Sequence, residues 1–217
     1  NDIRVLKGIK LDHFEAEGDR LTLRCRQLSN GDGALLELEI LGAGGVRHYR
    51  AQAEMAKTGA AVEPRLAPQP ILQAWGDAKI YGDVLFHGRE FQVIETLDGI
   101  GEGGISGTLK GVHEAGWKWD TWQTDVAALD GGLQLLLLWA RDQFGGATLP
   151  MGIGELRIAD QPLSRGPVRV VANCRKTSAS QAVADVVFLD QAGTQLSELR
   201  NAQLVLRPDS SIRPAQA

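Results

Sequence analysis

The stretch "TDVAALDGGLQLLLLWARDQF", Thr124–Phe144, decides the fold. It opens as a helix does: Thr124 reads as the N-cap, and Asp125 falls in the first turn, where the macrodipole favours an anion. The pattern predicts a helix over 124–143. Leu129, Leu133, Leu135, Leu136, Leu137, Leu138 and Trp139 leave no polar stripe in its middle. A helix that is apolar on every side is expected to be buried on every side. Yet Asp130, Gly131 and Gly132 sit inside it. Each glycine costs a helix interior about 1 kcal/mol relative to Ala. The pair therefore signals close approach of another backbone or a ligand, a kink, or a helix that begins only at Leu133.

Outward from this segment the chain reads as strands. "LTLRCRQL" alternates strictly, with Leu21, Leu23 and Cys25 on one face and Thr22, Arg24 and Arg26 on the other. "IRVLKGIKLD" precedes it; "ALLELEIL" and "VRHYRAQAEM" follow, separated by the turn "GAGG". Period-two alternation punctuated by Gly, Asn and Asp means antiparallel sheet with one wet face. "TGAAVEPRLAPQP" has no period and reads as a linker. "REFQVIETLDGIGEGGISGTLKG" is a Gly-punctuated hairpin ahead of the helix. After "LPMGIG" come "ELRIAD", "PVRVVANCRK", "QAVADVVFLD" and "QLSELRNAQLVLR", the last two joined by the turn "DQAG". The expected division is strands over 1–57, a linker over 58–78, a second unit over 79–207 and a disordered tail over 208–217. One buried helix among many long antiparallel strands is an α+β arrangement, a sheet curled around a central helix: the hotdog architecture. Two such units would need a second central helix, and the sequence offers one candidate.

The bulk numbers are those of a globular chain: 217 residues, 43% apolar and 23% charged, enough for a sizeable core. A net charge of −4 gives no support for a nucleic-acid or anionic-membrane partner. The longest apolar run, "LQLLLLWA", is far short of the roughly 20 residues that span a bilayer. Cys25 and Cys174 both lie in strand-like runs and read as buried thiols of a reducing, cytoplasmic compartment. The start "NDIRVLKG" lacks an initiator Met and reads as part of a longer polypeptide.

Three residues stand out as carriers of chemistry. A buried carboxylate is costly unless it is hydrogen-bonded or functional, which singles out Asp130. Gln134 lies one turn on, so acid and amide share a helix face. They can serve one cavity, or simply bond each other. His87 lies between Phe86 and Phe91 in "YGDVLFHGREFQ", as a site residue or as a satisfied core histidine. No zinc spacing, phosphate loop or nucleophile elbow is present. "GIGEGGISG" lies in a hairpin turn, not between a strand and a helix, and Trp117, Trp119 and Trp122 read as packing on the helix entry.

"LFHGREFQVI", then "ALDGGLQ", then "LPMGIGELRI" resembles the dehydratase domains of modular polyketide synthases and polyunsaturated-fatty-acid synthases. Those domains are double hotdogs, and the likeness implies that 79–207 is the second hotdog and 1–57 what is present of an incomplete first one. It places Asp130 on the family's catalytic Asp and Gln134 on the residue that assists it. His87 falls where many members have Tyr, and Arg89 replaces the usual Pro. The resemblance also implies that Phe86, Gly88 and Phe91 contact substrate. On the helix side it adds Gly131, Gly132 and Leu133, with Pro150 beyond.

The family's other catalytic residue is a His in HxxxGxxxxP, and no His here is followed by Gly four residues later. The resemblance therefore implies a chain that starts downstream of that motif and is inactive alone, or a degenerate relative. The implied reaction removes water from a 3-hydroxyacyl thioester carried on the phosphopantetheine of an acyl carrier protein, with no metal or other cofactor. A His takes the α-proton and Asp130 protonates the departing hydroxyl. The implied partners are the carrier protein, neighbouring synthase domains and a second copy in a homodimer, with no nucleic acid and no membrane insertion. The rival readings are a non-catalytic acyl-binding or product-template module of the same fold, and a hotdog thioesterase releasing free acid.

Overall fold

The computed structural model describes residues 1–30, 34–55, 70–76, 79–82, 84–117, 122–159 and 166–207. Alternation becomes strands where it was read. They are β1 (Ile3–Val5), β2 (Thr22–Asn30), β3 (Ala34–Leu41), β4 (Arg47–Met55), β5 (Ile94–Gly101), β6 (Gly104–Leu109), β7 (Thr148–Ile158), β8 (Val168–Lys176), β9 (Gln181–Leu189) and β10 (Gln195–Leu206). All pair antiparallel in one ten-stranded sheet, ordered β2-β3-β4-β1-β7-β10-β9-β8-β6-β5. The first strand is shorter than "IRVLKGIKLD" suggested. Leu6 and Lys7 both donate to the His48 carbonyl, at 2.9 and 3.2 Å, which ends the ladder after Val5. Those three residues still join the β2–β4 meander to the rest of the sheet, pairing Arg4 with Arg50 on one side and Gly152 on the other. The strand after "TL" begins early: "LPMGIG" belongs to β7, and Pro150 is tolerated there because β1 stops short of it, leaving one side of Pro150 unpaired.

A single α-helix among the described residues, α1 (Val126–Phe144), lies in the curl of the sheet. Its N-cap is Asp125, not Thr124: the Asp125 carboxylate accepts from the Ala128 N–H at 2.9 Å and from the Val112 N–H at 3.1 Å. Gly145 ends it in the left-handed region (φ 68°), its N–H bonded to the Arg141 carbonyl. The helix runs unbroken through Gly131 and Gly132, so neither a kink nor a start at Leu133 explains them. A Cβ on Gly131 would lie 2.7 Å from Leu109 Cδ1, and one on Gly132 2.5 Å from Phe188 Cζ. The two glycines thus admit core side chains, and the space for a ligand expected of them is already taken by protein.

The core forms between α1 and strands β5 to β10. Trp139, Leu135, Leu136, Leu138, Ile105, Leu109 and Phe188 are all fully buried. Trp139 also donates Nε1–H to the Gly101 carbonyl at 2.9 Å. Burial on every side of the helix is corrected to burial on all but one stripe. Val126, Leu129, Asp130, Leu133 and Leu137, which share one face of the helix, remain half-buried, and Arg141 and Asp142 of its last turn are exposed.

The meander at the other end of the sheet has the alternation but not the cover. Leu23 is 80% exposed and Cys25 is exposed as well, so of the two thiols expected to be buried only Cys174 is. The opposite face is an ion-pair ladder in which Glu39 sits between Arg24 (3.2 Å) and Arg47 (3.0 Å), and Glu37 meets Arg26 at 2.7 Å. Of the expected linker, residues 70–76 are described, and Gln73 is not free: it exchanges backbone hydrogen bonds of 2.8 and 2.9 Å with Ile100 of β5. The expected tail from 208 onward lies outside the described residues, as does Trp119.

Candidate active site

The open stripe of α1 presents Asp130, and the site grows from it. Helical spacing puts Gln134 directly below, and its Nε2 donates to Asp130 Oδ2 at 2.7 Å. Gln134 is 1% exposed, so each polar atom needs a partner, and each has one. Nε2 also donates to the Phe91 carbonyl at 2.8 Å, and Oε1 accepts from the Tyr81 hydroxyl at 2.8 Å. The Tyr81 oxygen in turn accepts the Ile94 N–H at 2.8 Å. Asp130 is therefore a half-buried carboxyl with one oxygen held by a buried amide.

The segment leading into β5 supplies the far wall. A 3-10 turn at Arg89–Phe91 follows Gly88, and Val93 and Ile94 then enter the core. That turn directs the Phe91 carbonyl at Gln134, while the Phe91 ring, 47% exposed, meets Trp117 edge-on at 5.3 Å between centroids. Trp117 and Trp122 pack with Val93, Val112 and Ala127 at the entry of α1, as their position suggested. Phe86 is 82% exposed and stacks on His87 at 4.7 Å. His87 is half-buried; its carbonyl accepts from Gln92 at 3.1 Å, and its Nδ1 is buried without a partner. Among the described residues no hydrogen bond joins His87 to Asp130 or Gln134. Gly88 is exposed and Leu133 shares the half-buried stripe of Asp130, whereas Pro150 stands on β7 opposite Leu204.

Tyr81 is the member of this network that reading the sequence missed. It lies 53 residues from Gln134, in a stretch without periodicity. Burial pushes its phenol above the ordinary tyrosine value; hydrogen bonds from the Ile94 and Val93 backbone oppose this, and the nearby Asp130 charge adds slightly to it. A protonated phenol is thus a fixed donor here. The only available signal was "YGDVLFHG", a lone Tyr six residues before the candidate His.

The other three histidines stand elsewhere. His13 is exposed near Glu17, and His48 is held under the β1–β2 connection with Nδ1 at 3.1 Å from the Lys7 and Gly8 carbonyls. His113 lies in the turn that precedes the helix. No helix among the described residues is long and apolar enough to cross a membrane.

Comparison with known proteins follows the same lines. The family model described as the polyketide synthase dehydratase N-terminal domain matches residues 60–207. No curated protein matches the sequence. Among solved structures, the dehydratase domain of the polyketide PpsC from Mycobacterium tuberculosis superposes with a TM-score of 0.72 at 14% identity, over 95% of this chain and 73% of that one. The dehydratase domain from the CurF module of curacin polyketide synthase gives 0.70 at 18% identity, over 95% and 74%. At such identities the superpositions speak for the fold: an antiparallel sheet around one central helix, the hotdog of those domains.

Proposed function

The chain belongs to the polyketide synthase dehydratase family, whose model covers residues 60–207, and from that premise we propose that Asp130 is the acid of its dehydration. The observation that supports this is the carboxyl on the open stripe of an otherwise buried helix, held by a buried amide. The substrate is a 3-hydroxyacyl thioester, delivered on the phosphopantetheine of an acyl carrier protein of the same synthase. A base takes the α-proton, and that C–H electron pair becomes the C=C bond. The C–O bond at the 3-position breaks, and the Asp130 carboxylic acid gives its proton to the departing oxygen, which leaves as water. Gln134 orients the acid. The half-buried Leu129, Leu133 and Leu137 offer an apolar strip for the acyl chain.

The base is a histidine, and His87 is the first to test, since Phe91 and Gln92, four and five residues on, carry the network and the bond to its carbonyl. The experiment uses the synthase polypeptide that carries this chain and a 3-hydroxyacyl thioester, with the enoyl thioester measured by mass. Asp130→Asn is expected to lower turnover by about 10²–10⁴-fold, the usual range for a general acid. Unchanged turnover removes Asp130 as the acid. Release of free acid in place of enoyl thioester identifies a thioesterase instead. Dehydration by the 217 residues alone puts the base among them, and His87→Phe then decides whether it is His87.

A further inference from the structure

We propose that Tyr81 is a positioning residue for this dehydration: it fixes the Gln134 amide in one orientation, so that Asp130 holds its proton on Oδ1 alone. The inference rests on reading Asp130 as the acid.

The polarity of the network follows from its two ends. A backbone N–H can only donate, so the Tyr81 oxygen, 2.8 Å from the Ile94 nitrogen, accepts there. The hydroxyl has one proton, and it points to Gln134 at 2.8 Å, where the receiving atom has to be Oε1. At the other end the Phe91 carbonyl can only accept, so the Gln134 atom 2.8 Å from it has to be Nε2. Two independent constraints select the same amide orientation, which electron density alone leaves open for any Gln. The second Nε2–H is then directed at Asp130 Oδ2, 2.7 Å away. Both donors of the amide are spent, and Oδ2 is an acceptor. A neutral Asp130 therefore keeps its proton on Oδ1, for which no partner exists among the described residues, and Oδ1 is the oxygen left to serve a leaving hydroxyl.

Tyr81 does not act on the substrate in this scheme. Its proton is committed to Gln134, and burial keeps the phenol protonated well above neutral pH. Removing it does two things. Gln134 Oε1, buried, loses its donor, and the Phe91 carbonyl is left as the one constraint of the two that opposes rotation of the amide to present Oε1 to Asp130. In that rotated state the Asp130 proton is drawn to Oδ2 and away from the substrate.

The decisive comparison is Tyr81→Phe, made in the synthase polypeptide beside Asp130→Asn. Tyr81→Phe is expected to lower kcat by about 10- to 100-fold with KM near the parent value, as for loss of orientation at a reacting group. A selectively ¹⁵N-labelled glutamine spectrum supplies a readout that catalysis does not enter. In the parent the two Gln134 amide protons are distinct and slow to exchange; in Tyr81→Phe they exchange faster and their separation shrinks. Unchanged kcat together with an unchanged Gln134 amide overturns the proposal, even where Asp130→Asn abolishes turnover. Should Asp130→Asn leave turnover intact while the amide responds to Tyr81→Phe, it is the acid assignment that fails. If Tyr81→Phe does not fold, fluorotyrosines at position 81 keep the ring and the hydroxyl while strengthening its donation. The Gln134 amide is then expected to shift with each fluorine, and a stationary amide overturns the inference.

Discussion

Phe188 occupies the place that a Cβ on Gly132 would take: its ring carbon Cζ lies 2.5 Å from that point. Phe188 is 1% exposed on β9, within the main core cluster. Gly132→Ala therefore sets two terms against each other. The helix gains about 1 kcal/mol of propensity, while overpacking a rigid core costs about 1–3 kcal/mol. The expected outcome is a net loss of about 1 kcal/mol, read as a lower urea midpoint at unchanged slope. Adding Phe188→Leu should recover part of it. A more stable Gly132→Ala protein would mean that the glycine serves something other than this contact.

Asp125 carries two structural bonds, one to its own helix and one to the Val112 N–H thirteen residues back. Asp125→Ala removes a cap worth about 0.5–2 kcal/mol. It also leaves a buried N–H without a partner, at about 1–3 kcal/mol. The pH dependence has a definite sign. Burial, the largest cause, raises the Asp125 carboxyl above its ordinary value, against the two backbone hydrogen bonds that lower it. The native state then holds a proton that the unfolded chain releases near pH 3.9. Stability from this group is fully present below that value and is lost as pH rises through the raised one. Asp125→Asn should abolish that decline, which paired denaturation curves across the acidic range will measure.

The two cysteines should separate cleanly by reactivity. Cys25 is exposed on β2 and free, whereas Cys174 is buried and its thiol is pushed up by burial, with a further push from Asp185. Reaction requires the thiolate and access to it. One thiol per chain is expected to react with a disulfide reagent in the native protein, and two in denaturant. Cys25→Ser should bring the native count to zero. A native count of two would mean that β8 opens on the timescale of the assay.

Most of the architecture could be read before any coordinates, because it is written in local periods. Alternation found eight of the strands closely, and the apolar run found the helix. The Asp130–Gln134 pair was also legible, since four residues is one turn. What escaped depends on distance in the chain. The Val112 N–H that draws in Asp125 and moves the cap from Thr124 is not a local feature. Neither is the approach of Phe188 to Gly132, nor the 53-residue reach from Tyr81 to Gln134. The glycines were read as an opening because a sequence shows a missing side chain without showing what fills its place.

Leu23 and Leu199 give the last prediction, and it isolates what alternation does not say. Both lie in strands with period-two patterning, and the register confirms that Leu23 shares a face with Cys25, opposite Ile40 and Leu38 of β3. But a shared face is not a covered one. Leu23 is 80% exposed, while Leu199 of β10 is 2% exposed against the helix-bearing core. Leu23→Ala should therefore change unfolding free energy by no more than about 0.5 kcal/mol. Leu199→Ala removes fully buried methyls and leaves a cavity, at about 2–5 kcal/mol. Chemical denaturation of the two variants side by side tests the contrast. A loss at Leu23 comparable to that at Leu199 would show that the meander's apolar face is covered in solution, by a second copy if the loss shrinks on dilution.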